Sequence, residues 1–462
     1  MNLQKGEIID LEIENIAFLG KGVGKYNGKV VFVSNTMAGD KIKASLTHIK
    51  KDFCEADLVE IVKPSSERIA PKCEYFDKCG GCSFQFITYA KQLEIKKQHV
   101  IDAFERIGNV VDPNVKDVIG CSDPYYYRNK MEFSFGYDAN MNFTLGMHEP
   151  NRRFDIMDLK NCYLMSKISV DIFNLFREFC VRKNYEPFKY SNGSGFLKQV
   201  FVREGKRTNE VMVNFVTSDL VPKDFENDLN ELKEELLKCH EGEKKLTSFY
   251  WSKVISQKGR RREIKETLVY GKKYLTEILK LENGDSLTFD IAPQAFFQVN
   301  TFGAEILYNL ALKYALKNPH ETVFDLFCGT GTIGLFLAKH INEVFGIEIN
   351  EDAVIAAREN AQKNKIFNID FFTGDVDKVL KKITRIPSLI VIDPPRAGLT
   401  KNTIEKINEF GAKSLIYISC NPSTLARDCQ MLREYGFKIS EITPVDMFPH
   451  TYHIECVCLF ER

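Results

Sequence analysis

Three features predict an α/β chain whose C-terminal part is a Rossmann-like, doubly wound and mostly parallel sheet. From Thr322 onward, apolar runs alternate with helical stretches: Thr322 to Phe327, Val344 to Ile349, Ile369 to Thr373, Leu389 to Asp393 and Leu415 to Cys420. The first of these runs breaks into a glycine-bearing loop, Asp325 to Leu335, and resumes as a helix from about Thr332. The beginning of the chain instead has short alternating segments divided by glycines, the pattern of a small antiparallel barrel.

In chain order, the barrel occupies residues 1–62. Its segments are Glu7 to Ile16, Lys29 to Ser34, Asp40 to His48 and Phe53 to Val62, with Gly20 to Gly24, Asn27-Gly28 and Ala38-Gly39 as separators. Pro64-Ser65-Ser66 marks a boundary. Residues 63–290 read as a mixed α+β region holding a cysteine cluster, a helix near Tyr89 to Ile107, strands within Tyr127 to Tyr137 and Gln199 to Phe215, and a helix over Ser166 to Lys183. Leu229, Leu232 and Leu236 among acids predict an amphipathic helix within Pro222 to Lys245. Residues 291–462 form the doubly wound unit, closed by two strands near Lys438 to Pro444 and His453 to Phe460.

At 462 residues the chain exceeds what one hydrophobic core serves. A hydrophobic content of 44% and a charged content of 27% describe an ordinary globular protein. Its apolar runs fall short of the ~20 residues of a membrane span, and Met-Asn-Leu-Gln-Lys-Gly-Glu has no signal-peptide core, so a cytoplasmic monomer with no membrane partner is expected. In that compartment thirteen cysteines are not a disulfide framework, and Cys54, Cys180, Cys456 and Cys458 sit in apolar or alternating contexts as small hydrophobes. Zero formal net charge confines any nucleic-acid affinity to local patches.

Open parallel sheets bind ligands beyond the carboxyl ends of their strands, which here are Phe327, Glu348, Asp393 and Cys420. Gly329, Gly331 and Gly334 let backbone approach a ligand, and Glu348, 19 residues after Gly329, can accept hydrogen bonds from ribose hydroxyls. That spacing suits a dinucleotide as well. Asp325-Leu326-Phe327-Cys328 before the glycines is more like the first motif of S-adenosylmethionine enzymes. Asp393-Pro394-Pro395-Arg396 is similar to the Asn/Asp-Pro-Pro-aromatic motif of enzymes that methylate exocyclic amines, but Arg396 replaces the aromatic residue that holds the base, which weakens an amine target.

Methylation of pyrimidine C5 needs a thiol to attack C6 and a base to remove the C5 proton. Cys420, before Asn421-Pro422, supplies the thiol. Glu455 is the expected base, because a carboxylate in an apolar final strand is costly to bury and its pKa should rise toward neutrality. An ion pair of Glu455 with Arg427 or Arg396 is the structural alternative, and His450 and His453 are the other possible bases.

With Phe296-Phe297-Gln298-Val299-Asn300, Ser419-Cys420-Asn421-Pro422 and His453-Ile454-Glu455 added to the motifs above, nearly the whole chain resembles the RNA uracil-C5 methyltransferases. The resemblance is weakest between about 170 and 285. It implies Cys420 as nucleophile, Glu455 as proton acceptor, and Gln298, Phe327, Glu348 and Asp393 as the S-adenosylmethionine site. Phe327 stands where many members have tyrosine.

Cys73, Cys79 and Cys82, the last two separated by Gly80-Gly81, can wrap one inorganic centre, with Cys162 or else Cys121 as fourth ligand. Structural zinc sites usually have a second ligand pair, absent here, whereas iron–sulfur clusters accept three grouped cysteines and a distant one. The resemblance implies a 4Fe–4S cluster on Cys73, Cys79, Cys82 and Cys162.

Trp251 to Lys273 carries eight basic residues against Glu263 and Glu266, a local excess suited to phosphate contact. The first 60 residues resemble the TRAM barrel, an OB-like RNA-binding module, although they hold eight Lys or Arg against nine Asp or Glu. By architecture, barrel plus cluster cysteines resembles the 23S ribosomal RNA enzymes. A T-loop uridine of tRNA and a non-catalytic iron–sulfur RNA-binding protein are the alternatives.

Overall fold

The computed structural model describes residues 3–149, 152–256 and 263–462, with backbone alone for 152–154. A six-stranded sheet opens the chain, in the order Ile8–Glu12, Lys41–Ile49, Phe53–Lys63, Lys29–Val33, Gly22–Tyr26, Asn15–Ile16. It wraps a core that includes Ile9, Leu11, Val31, Val33, Ile42 and Leu46, the inward residues of alternating strands. The strand Gly22–Tyr26 lies where the sequence suggests a separator. Its glycines serve close packing, since a Cβ on Gly22 would meet Thr36 Oγ1 at 2.0 Å and one on Gly24 the Glu12 carbonyl at 2.5 Å.

The central region is an eight-stranded sheet in which Lys130–Tyr137 pairs antiparallel with Leu197–Glu204, and Leu197–Glu204 with Glu210–Ser218. Helix Lys167–Arg182 buries Ile168, Ile172, Phe173, Phe176 and Phe179 in one core with this sheet. Helix Phe225–Leu236 adds Leu229, Leu232 and Leu236 to it. That helix is shorter than the leucine pattern allows, because the chain reverses through Gly242 (φ +60°) into the strand Lys244–Ile255.

The C-terminal sheet has seven strands, ordered Ile369–Thr373, Glu343–Glu348, Thr322–Leu326, Leu389–Ile392, Ser414–Ser419, Glu455–Glu461, Lys438–Val445. The first five are parallel, and Glu455–Glu461 runs antiparallel to both of its neighbours. A core on one face joins Leu307, Leu335, Ile416 and Val457 with the hairpin Leu275–Lys280/Ser286–Ile291. On the other face Phe324, Tyr417 and Cys456 pack with Val100, Ala103 and Phe104 of helix Tyr89–Arg106. That helix precedes the central sheet in sequence yet packs against the C-terminal one. Among the described residues no helix is long and apolar enough to cross a membrane.

Candidate active site

The parallel strands are in register at their carboxyl ends. Leu326 pairs with Ile347 on one side and Ile392 on the other, and Ile392 pairs with Tyr417. This brings Phe327, Glu348 and Asp393 to one edge, with Cys420 just beyond Ser419. Phe327 (φ +65°), Gly329 (φ +54°) and Gly331 (φ +78°) turn the loop sharply back. Open space faces Gly329, whereas a Cβ on Gly331 would come within 2.7 Å of the Phe371 ring. The Gly329 and Asn350 N–H groups donate to the two Glu348 carboxylate oxygens at 3.1 and 2.9 Å, fixing that side chain beside the loop. Cys328 is buried and its thiol pushed well above the ordinary range by burial, so it packs and does not react.

Cys420 and Glu455 come together through strand pairing. The register Ser419↔Cys456, continued by one residue, sets Cys420 opposite Glu455, whose other neighbour is Val445. Glu455 is buried, and burial together with Asp393 pushes its carboxyl well above the usual range, while Arg396 pulls the other way. Cys420 is half-buried. Burial and the Glu455 charge raise its thiol, and the Arg396 guanidinium, in hydrogen-bonding reach, opposes them. Asp393 is partly exposed at its strand end, and desolvation pushes it up to about 7. The site thus collects carboxyls whose charged forms burial disfavours and a neighbouring cation would favour.

The alternatives to Glu455 are occupied elsewhere. Arg427 binds Asp428 at 2.6 Å, and Arg396 lies 3.2 Å from His453 Nδ1, with no ion pair to Glu455 among the described residues. His450 is buried against Gln92, and both His450 and His453 are lowered to about 4, primarily by burial, which leaves them neutral. Gln298 is buried, its backbone carbonyl held by Asn129 Nδ2 at 2.9 Å. Asn300 caps helix Thr301–Ala315 by accepting from the Gly303 N–H. Two turns along that helix is Tyr308, which the motifs do not reveal. It is buried beside Gln298, Asp393 and Glu455, and burial plus those carboxylates hold its phenol protonated. Its only sequence signal is the spacing Thr301 to Tyr308, two turns on one helix face.

Cys73, Cys79, Cys82 and Cys162 line a single cavity, while Cys121 lies apart, against Asn300 and Tyr89. Its walls are largely apolar, with Tyr75, Phe76, Met131, Met147 and Leu159 among them. Gly81 N–H and Gln85 Nε2 donate to Cys79 and Cys82 sulfur at 3.4 and 3.3 Å. Burial pushes those two thiols up to about 11 and about 12. Among the described residues no group of three or more His, Cys, Asp or Glu converges on one metal ion. Four soft thiols around an apolar void, with N–H donors aimed at sulfur, fit a polynuclear centre better than a single ion. The next residues after Cys82 bind the segment that leads to Glu455: the Ser83 and Phe84 N–H groups donate to the His450 carbonyl at 2.8 and 2.9 Å, and Ser83 Oγ accepts from Tyr452 N–H.

Of the basic stretch Trp251 to Lys273, Lys253 and Lys265 are cross-strand neighbours, whereas Lys272 is engaged by Glu210. Lys258, Arg260, Arg261 and Arg262 lie outside the described residues.

Sequence models of two families match the chain: "tRNA (Uracil-5-)-methyltransferase" over residues 244–462 and "TRAM domain" over residues 2–59. A Clostridium tetani protein named uncharacterized RNA methyltransferase is 34% identical, covering 99% of this chain and 97% of its own length. A Clostridium acetobutylicum protein of the same description is 36% identical, covering 100% of this chain and 99% of its own. The crystal structure of Pyrococcus abyssi tRNA (uracil-54, C5)-methyltransferase in complex with S-adenosyl-L-homocysteine matches with a TM-score of 0.75 at 26% identity, over 97% of this chain and 100% of that one.

Proposed function

The chain belongs to the S-adenosylmethionine-dependent RNA uracil-5-methyltransferase family, and from that premise we propose that it methylates C5 of a uridine in 23S ribosomal RNA through a covalent adduct on Cys420. The observation that carries the reading is the register that faces Cys420 with Glu455 at the edge where Phe327, Glu348 and Asp393 meet. Gln298, Phe327, Glu348 and Asp393 would hold S-adenosylmethionine, which supplies an electrophilic methyl group on its sulfonium. Cys420, as thiolate, adds to C6 of the uracil, and the electron pair moves to C5, which would take the methyl group as its bond to the sulfonium breaks and the donor leaves as a neutral thioether. Glu455, as carboxylate, accepts the C5 proton. The returning pair re-forms the C5–C6 double bond and expels Cys420. Both carboxyls, Glu455 and Asp393, ionise more readily beside a cationic donor, and Arg396 favours the thiolate of Cys420.

In this reading residues 1–62 guide RNA, 63–290 carry the cysteine site and 291–462 perform methyl transfer, in a cytoplasmic monomer. Cys73, Cys79, Cys82 and Cys162 would hold a 4Fe–4S cluster. Methyl transfer to an activated carbon consumes no electron, so the cluster's part is structural or RNA-facing.

A T-loop uridine of tRNA is the second reading, favoured by the end-to-end similarity to the Pyrococcus abyssi tRNA enzyme. Mapping 5-methyluridine in both RNAs from a deletion strain separates the two, since loss in one class alone identifies the substrate. Cys420→Ala is expected to abolish methylation and the adduct with 5-fluorouridine RNA, and Glu455→Gln to form the adduct without resolving it. Turnover by Cys420→Ala would refute the mechanism and favour a methyl transfer that needs no thiol. An inert wild-type protein that still binds RNA would support the non-catalytic iron–sulfur alternative.

A further inference from the structure

We propose that the cleft between the central sheet and the segment Ala295–Val299 is a subsite for one phosphodiester group of the bound RNA, gripped by the guanidinium of Arg203. The inference rests on the chain acting on RNA. Arg203 and Lys130 are direct cross-strand partners. With Arg128 they line one cleft of about 450 Å³. Arg203 is only 3% exposed, and its Nη2 donates to the Ala295 carbonyl at 2.7 Å. Its Nε and Nη1 have no hydrogen-bond partner, and the Nε of Arg128 has none either. Among the described residues Glu132 is the one carboxylate lining the cleft; its charge favours the Arg203 cation through space, and it is engaged directly by Lys130 at 2.8 Å. No ion pair to Arg203 exists among the described residues.

A buried cation without a counterion costs stability, and proteins keep such groups paired. Burial lowers Arg203 to about 10, which still leaves it charged at neutral pH. The free Nε–H and Nη1–H groups are buried on opposite sides of the guanidinium, so Arg203 offers a phosphate oxygen in the cleft a cation and a single N–H donor at a time. The cleft adjoins the segment that carries Gln298 into the donor pocket, and Phe296, 73% exposed, also lines it. A phosphate of the RNA strand that presents its uridine to Cys420 would then rest beside Arg203.

The test measures RNA affinity against salt for the full-length protein, with a uridine-bearing 23S hairpin, for wild type, Arg203→Met and Arg203→Lys. Arg203→Met is expected to weaken binding and to make the slope of log affinity against log salt shallower by about 1, the signature of one lost phosphate contact. Arg203→Lys, which keeps the charge without the guanidinium, should retain the wild-type slope. The Arg203→Met melting temperature should not fall, since an unpaired buried charge has been removed, and calorimetric S-adenosylmethionine affinity should stay unchanged. An unchanged salt slope in a folded Arg203→Met protein overturns the subsite. A lowered melting temperature with the slope retained overturns it too, and assigns Arg203 a structural role. If inorganic phosphate raises the melting temperature of wild type and not of Arg203→Met while the RNA slope is the same in both, the cleft takes a free anion and the RNA contact is wrong. Salt-independent RNA binding by the wild type would instead sink the reading of the chain as an RNA enzyme, which separates the two failures.

Discussion

Glu455 and its neighbours show how a single residue's environment couples chemistry to folding. Asp325, fully buried under the glycine loop, is pushed up to about 8 by burial. In the unfolded chain its carboxyl titrates near 4, so folding takes up a proton between those values. The folded state is therefore favoured most below about pH 4, and this share of its stability is lost as pH rises to about 8. Asp325→Asn should flatten that part of the stability–pH curve of the ligand-free protein, as read by urea unfolding at several pH values. A curve that keeps its slope would show that Asp325 does not titrate there. The roles of Cys420, Glu455, Gln298, Phe327, Glu348 and Asp393 were expectations from motifs, and each motif is a run of adjacent residues with distinctive chemistry. Tyr308 and Arg203 carry no such local mark. Their surroundings come from distant segments, which a linear pattern does not display.

Among the elements, the loop after Thr322–Leu326 separates two uses of glycine. Gly329 faces open space and Gly331 faces the Phe371 ring, both with left-handed backbone. Gly331→Ala is expected to lose about 1–2 kcal/mol to backbone strain, with a further loss from overlap with Phe371, whereas Gly329→Ala meets strain alone. Chemical denaturation of the two variants checks this order, and equal losses would contradict it. The parallel strands were legible because buried strands read as continuous apolar runs closed by turn residues. Gly22–Tyr26 was not, since glycine in a strand looks like a break until the packing against Thr36 and Glu12 is seen. Helix Phe225–Leu236 was placed correctly and ended too late, because leucine spacing gives a face and not a stop.

Across the whole molecule, the segment between the barrel and the central sheet locks onto the catalytic end. Lys96, on helix Tyr89–Arg106, pairs with Asp446 at 2.6 Å with both side chains fully buried, and donates to the Phe448 carbonyl. Tyr89 also donates to Asp446, and Gln92 accepts from the His450 N–H. These contacts hold Asp446 to His450, the segment leading to Glu455. Lys96→Met alone leaves Asp446 buried without its counter-charge, with the Tyr89 hydroxyl and Phe448 N–H as remaining donors, and is expected to cost about 3–5 kcal/mol, with the Lys96→Met/Asp446→Asn double variant recovering part of the loss. Equal stability of single and double variants in denaturant titrations would show that the pair is not coupled.

The sequence by itself determined the doubly wound sheet, the barrel and the cofactor-type loop, and it singled out Cys420 and Glu455 as candidates, because strand periodicity and short motifs are local in the chain. Tertiary structure alone decided that Cys420 faces Glu455 across one rung, that Cys162 joins the three grouped thiols in one cavity, that Arg203 lies buried without an ion pair among the described residues, and that a helix from residue 89 braces the segment leading to Glu455. Those are contacts between residues tens to hundreds of positions apart. They depend on register and packing, which follow from the assembled core and not from any stretch of sequence read alone.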